Sequence, residues 1–179
     1  MDYIFEPILR LFANIPEIIL INIFLIIASY TDIKTMKIYN KFNLVMLVTR
    51  ILMFVVLGIF FKDLISIGYV IDCIFGALVL SLSFFIPAVI ANDSIGGDIK
   101  FAFNLGLWCG SIPALFIALI ATLTNFGFRI VFGKKDNKEF HVKKLPQVGF
   151  ISFKATGRVP LAPFFYLGYG CLFLVTLFI

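Results

Sequence analysis

From Phe101 to Phe132 the chain is a single apolar stretch whose one break is Gly110-Ser111-Ile112-Pro113. As one helix its 32 residues would extend about 48 Å, too long for a single membrane crossing and short for two full ones. The lysines around it decide between the two. A single crossing would leave Lys134, Lys135, Lys138, Lys143 and Lys144 across the membrane from Lys34, Lys37 and Lys41, against the gathering of basic residues on one side. Two crossings with a turn at Gly110 to Pro113 return every basic cluster to one face. The stretch therefore predicts a short fourth helix, Asp98 to Cys109, and a fifth, Ile112 to Phe132.

That the setting is a membrane follows from composition. The chain is 61% hydrophobic with 23 Phe and only 14% charged residues, so a water-soluble domain of this size could not keep its surface polar. The other apolar runs give spans at Ile15 to Tyr30, Leu44 to Phe61, Leu64 to Ala91 and Val159 to Ile179. The expected fold class is all-α, a polytopic membrane protein with six transmembrane helices, in one membrane-embedded domain over residues 1–179. Residues 1–13 suit a short interfacial helix, with Glu6 and Arg10 one turn apart and Phe5, Ile8, Leu9 and Phe12 for one face. Asn14-Ile15-Pro16-Glu17 then has helix-start chemistry: a capping amide, an early proline and an acid in the first turn. Asp2 and Glu6 stand where a cleaved signal would be basic, so the first span is expected to be retained. The net charge of +5 sits in short segments between apolar runs, which points to orientation and anionic lipid rather than to nucleic acid. With the N-terminus outside, the loops at 31–43, 92–100 and 133–158 face the cytoplasm.

Two acids stand at the cytoplasmic ends of predicted helices, Asp32 after the first run and Asp98 at the start of the fourth. An ionised carboxylate at the edge of hydrocarbon is costly and usually faces a partner or a wet cavity. Two carboxylates brought together share a proton, so one can act as general base on a water while the other hydrogen-bonds a scissile carbonyl. Peptide hydrolysis by that scheme requires no metal and no cofactor. Gly96-Gly97 before Asp98 would let a backbone approach closely and let the chain turn into the helix. The plain alternative is that Asp98 caps a helix and Asp32 is solvated.

Other residues read less sharply. Asp93 is the rival acid, in the loop or at the lip of the site, and Asp72 inside the third span suits a polar contact between helices. Cys73, Cys109 and Cys171, an odd count without a CxxC pair, read as buried structural thiols. The lone histidine, His141, lies in a lysine-rich loop with no helix to fix it, which disfavours pairing with Ser94 or Ser152.

Three segments carry a family resemblance. Asp32-Ile33-Lys34-Thr35-Met36-Lys37-Ile38-Tyr39-Asn40 resembles the Asp, five residues, Ile-Pro-Asn segment of type IV prepilin peptidases, with Tyr39 in place of the proline. Ser94-Ile95-Gly96-Gly97-Asp98-Ile99-Lys100 is similar to their Gly-x-Gly-Asp-x-Lys, with Ile95 where the first glycine stands. Val159-Pro160-Leu161-Ala162-Pro163-Phe164 resembles their last-helix segment Ile-Pro-Phe-Gly-Pro-Phe. The resemblance implies a membrane aspartic endopeptidase that removes the basic leader of type IV prepilin-like precursors at the cytoplasmic face, with Asp32 and Asp98 as the catalytic pair. Asn40 and Lys100 belong to the matched motifs and suit orienting the acids or lowering a carboxylate pKa, with simple boundary roles as the alternative, and Gly96, Gly97 and Asp93 are the other candidate supporting or substrate-binding residues. Relatives that also methylate the new N-terminus carry a cysteine-containing segment for which there is no room before Asp32, so methyltransferase activity is not expected. The implied partners are a single-span prepilin-like substrate and anionic lipid at the cytoplasmic face. The competing readings are a proton- or ion-coupled transporter, which would hold acids near the midplane in repeated halves, and a non-catalytic membrane assembly protein, which needs no paired acids.

Overall fold

The computed structural model describes residues 7–9, 12, 14–60, 66–90, 96–134, 141–142 and 160–177. Six helices carry the fold: α1 (Ile15–Thr35), α2 (Asn40–Phe60), α3 (Ile67–Ile90), α4 (Gly96–Cys109), α5 (Ser111–Phe132) and α6 (Ala162–Thr176). Beyond α5, Gly133–Lys134 (β1) pairs antiparallel with His141–Val142 (β2), so the histidine's backbone is held opposite Lys134 within the lysine-rich segment.

Apart from that two-residue pairing the described fold is helical, and the chain is a membrane protein. Helices α1 and α2, with the stretches Ile67–Ile86 of α3 and Ser111–Phe128 of α5, are four segments long and apolar enough to cross a membrane. The predicted six spans include two helices that fall short of this. α4 has 14 residues and α6 has 15, giving about 21 Å and about 22 Å of helix against a hydrocarbon layer of about 30 Å.

The helix starts explain where the sequence reading shifts. α1 begins at Ile15 behind Asn14, whose backbone is extended and whose carbonyl accepts the Ile18 N–H at 3.1 Å. The Asn14 side chain makes no capping bond, contrary to the expectation above. α1 continues to Thr35, five residues past the apolar run, so Asp32 lies in its last turn rather than after it. Met36 then takes the left-handed conformation at φ 53° and returns its N–H to Asp32 O at 2.8 Å. α6 begins only at Ala162, with Pro163 in its first turn, where a missing N–H costs no helical bond.

α3 lies along α4 and also against α5, α5 packs on α6, and α6 packs on α1. Gly76 of α3 and Gly106 of α4 face one another so closely that a methyl on either would run into the opposite backbone. Such contacts between small residues are how helices approach in a membrane, where burying apolar surface gives little driving force. α2 has a single extensive packing partner among the described residues, α4. The core between the helices mixes aliphatic and aromatic side chains, with Phe24 against Trp108 and Phe101 against Phe165, each at 5.8 Å between ring centres. Near the other end Phe12 meets Tyr169 at 5.4 Å and Phe173 at 5.2 Å, and Ile8 is buried, so the described part of 1–13 covers protein. Cys73 and Cys109 are buried as expected. Cys171 is not: it is exposed on α6, because that helix turns only one side to α1 and α5.

Candidate active site

Asp32 is 3% exposed, yet its partner is not on its own helix. Its Oδ2 accepts the backbone N–H of Ala162 at 2.9 Å, across 130 residues. At the start of α6 Pro163 has no N–H and Phe164 donates to Leu161 O at 3.0 Å, which leaves the Ala162 N–H without a partner in the helix, and Leu161, at its cap position, offers no side-chain acceptor. The carboxylate from α1 takes the place of a cap, and the positive end of the α6 dipole faces it. The motif that opens the last helix is thereby joined to the motif that closes the first.

The glycine-containing segment reaches the same place. A Cβ on Gly97 would stand 2.9 Å from the carbonyl oxygen of Ile38, a backbone atom that cannot swing aside. Gly97 is therefore required by the chain's own α1–α2 connection, whereas no described residue beyond its own turn of helix comes within 4 Å of a Cβ placed on Gly96. Asn43 Nδ2 donates to Gly97 O at 3.2 Å and Asn104 Nδ2 donates to Asn43 O at 2.8 Å, which binds α4 along the first turns of α2. Lys100 Nζ donates to Asn40 Oδ1 at 3.0 Å, so these two motif residues are partners of one another. Asp98 is the third residue of α4 and is half-buried. Asp93, Ser94, Ile95 and Ser152 lie outside the described residues.

With these contacts the segments carrying Asp32, Asn40, Gly96, Gly97, Asp98 and Lys100 form one region at one end of the bundle. The model of the type IV leader peptidase family matches residues 19–130, well over half of the chain. The chain belongs to the type IV leader peptidase family. No curated protein and no solved structure matches it. The leader peptidase match starts inside α1 and ends inside α5. It thus contains both aspartates and stops short of Ala162, which one of them holds.

A second polar cluster went unread in the sequence. Arg50, in the middle of α2, is fully buried and forms a 2.7 Å ion pair with Glu17 of α1, itself buried rather than simply favouring the helix start. Its Nη2 donates to Tyr69 Oη at 2.8 Å, and its Nε donates to Leu107 O at 3.1 Å. The guanidinium thereby caps the carbonyl end of α4 and joins it to α1 and α3. A lone charge within an apolar run was the available signal, since such residues face partners in the bundle. Asp72 behaves as expected of a contact between helices: it accepts the Ser111 N–H at 3.3 Å and bonds the Ser111 hydroxyl. That caps α5 directly after Gly110, whose φ of +84° suits glycine.

Proposed function

We propose that this leader peptidase is an aspartic endopeptidase in which Asp32 and Asp98 share the acid and base roles. One carboxylate takes a proton from a water, which attacks the scissile carbonyl carbon; the other, protonated, donates to the carbonyl oxygen. As the tetrahedral carbon collapses, the C–N bond breaks and the leaving nitrogen takes up the proton that the first carboxylate removed from the water. What supports the pairing is the meeting of the two aspartate-bearing segments, Gly97 against Ile38 and Lys100 on Asn40.

The substrate in this reading is a single-span prepilin-like precursor whose basic leader is removed at the cytoplasmic face. All six helices cross the membrane, with the N-terminus outside and the lysine-rich loops inside against anionic lipid. The shortness of α4 and α6 then implies a bilayer thinned beside the site, where water can reach a bond that lipid would otherwise shield. Gly96, with no described residue beyond its own turn of helix within 4 Å of a Cβ placed on it, leaves room for the substrate backbone.

The test is cleavage of a type IV prepilin by membranes carrying Asp32→Asn or Asp98→Asn. Each variant should lose at least about a hundredfold in rate, while Asp93→Asn stays active. Asparagine at 32 still accepts the Ala162 N–H, so the fold is kept. Undiminished cleavage by either variant would remove the mechanism.

A further inference from the structure

A cavity of about 410 Å³ lies between α2 and α3 with α4 as its floor. It begins at Ile99 and Lys100, the two residues after Asp98, and runs along Asn43, Leu47, Phe103 and Asn104. Its size is in the range of ligand-binding clefts. It is there because α2 packs on α4 and not extensively on α3, although the two are consecutive.

Two properties decide what fits. The walls are chiefly apolar, and the cation Lys100 stands on the lining, so a basic leader is repelled and an apolar segment is favoured. The lining also holds amides that hydrocarbon cannot serve. Asn43 is only 4% exposed, and while its Nδ2 is bonded to Gly97 O, its Oδ1 has no partner among the described residues. A buried acceptor left unmet is costly. A lipid tail offers nothing to it; a peptide whose helix has been opened offers N–H groups that must themselves be satisfied at this depth.

We propose that this groove is the subsite for the apolar segment on the mature side of the scissile bond, bound with its backbone opened. Asn43 is a substrate-binding residue there, its Oδ1 taking a peptide N–H of the segment that lies between α2 and α3. The inference rests on the peptidase reading and assigns the side of the bond that the groove holds.

The test uses full-length protein in liposomes, with a photo-crosslinking side chain at Leu47 in the groove or at Val45 as control. The probe is a type IV prepilin with its lysine- and arginine-containing leader. In the Asp98→Asn background, Leu47 should capture the prepilin's apolar segment and Val45 should not. A synthetic prepilin peptide with an ester replacing one amide just after the junction should show KM raised about tenfold for the unsubstituted enzyme, the loss of one buried hydrogen bond. Asn43→Leu should show no further rise with the ester. Capture of the leader, of lipid alone or of a second copy of the chain overturns the assignment, as does an equal ester effect in Asn43→Leu. If the groove captures nothing while the unsubstituted enzyme cleaves the probe, the groove proposal falls and the peptidase reading stands. Capture of the apolar segment without cleavage by that enzyme removes the peptidase reading and, with it, the assignment to one side of a scissile bond. Neither capture nor cleavage ends both.

Discussion

The Arg50 cluster and the Asp32 region handle buried polarity in opposite ways, although Tyr169 Oη, outside both, is also buried without a hydrogen-bond partner among the described residues. At the Arg50 end the guanidinium is fully enclosed, and Glu17, Tyr69 and the α4 carbonyls take its donors, while Asp72 meets Ser111 beside it. At the Asp32 end the accounting stays open. Asn43 Oδ1 and, one turn before Asp32, Ser29 Oγ are buried without a partner among the described residues, and the aspartate borrows its N–H from a distant helix. A completed network fixes helices at one distance; an incomplete one keeps polar groups available. The first suits a frame, and the second suits chemistry on an incoming chain.

This contrast is open to experiment, and the largest effect belongs to the frame. Arg50→Leu should destabilise the protein by about 3–5 kcal/mol, because Glu17 is left buried and unpaired and the end of α4 loses its cap. Thermal unfolding in detergent should report it, and adding Glu17→Leu should recover most of the loss. If Arg50→Leu alone proves neutral, the network is not the frame described. Next comes Gly97→Ala, which pushes α4 from the Ile38 carbonyl. Stability should fall by about 1–3 kcal/mol, and prepilin cleavage by roughly a hundredfold, the cost of an ångström-scale misplacement. Equal losses of folded protein and activity would show that Gly97 serves packing alone. The smallest is Asp72→Ala, which removes the α5 cap at a cost of about 0.5–2 kcal/mol. Cleavage per folded molecule should be unchanged; a drop would tie the capped turn to the site.

Much of the helix order is legible in the apolar runs, and the fourth helix is the clearest case. Length arithmetic and lysine placement predict Asp98 to Cys109, and the helix begins only two residues earlier, at Gly96. What periodicity cannot supply is each polar side chain's partner, since that depends on how neighbouring helices are rotated and how deeply they sit. Glu17 has the same sequence signature whether it favours a helix start or pairs with a buried arginine. Gly97 reads in the sequence as room for another chain, and the backbone it accommodates is this chain's own Ile38. The third motif is recognisable as a resemblance, but nothing local to Pro160 or Pro163 indicates that the neighbouring N–H is directed to Asp32.

The bond between Asp32 and Ala162 also orders events in time. A ribosome delivers the carboxylate early and its backbone donor 130 residues later. Until α6 has been made and has packed on α1, the acid has no such anchor. A nascent chain would therefore carry the Asp32 carboxylate without its backbone donor through the synthesis of helices α2 to α5, all of which precede α6.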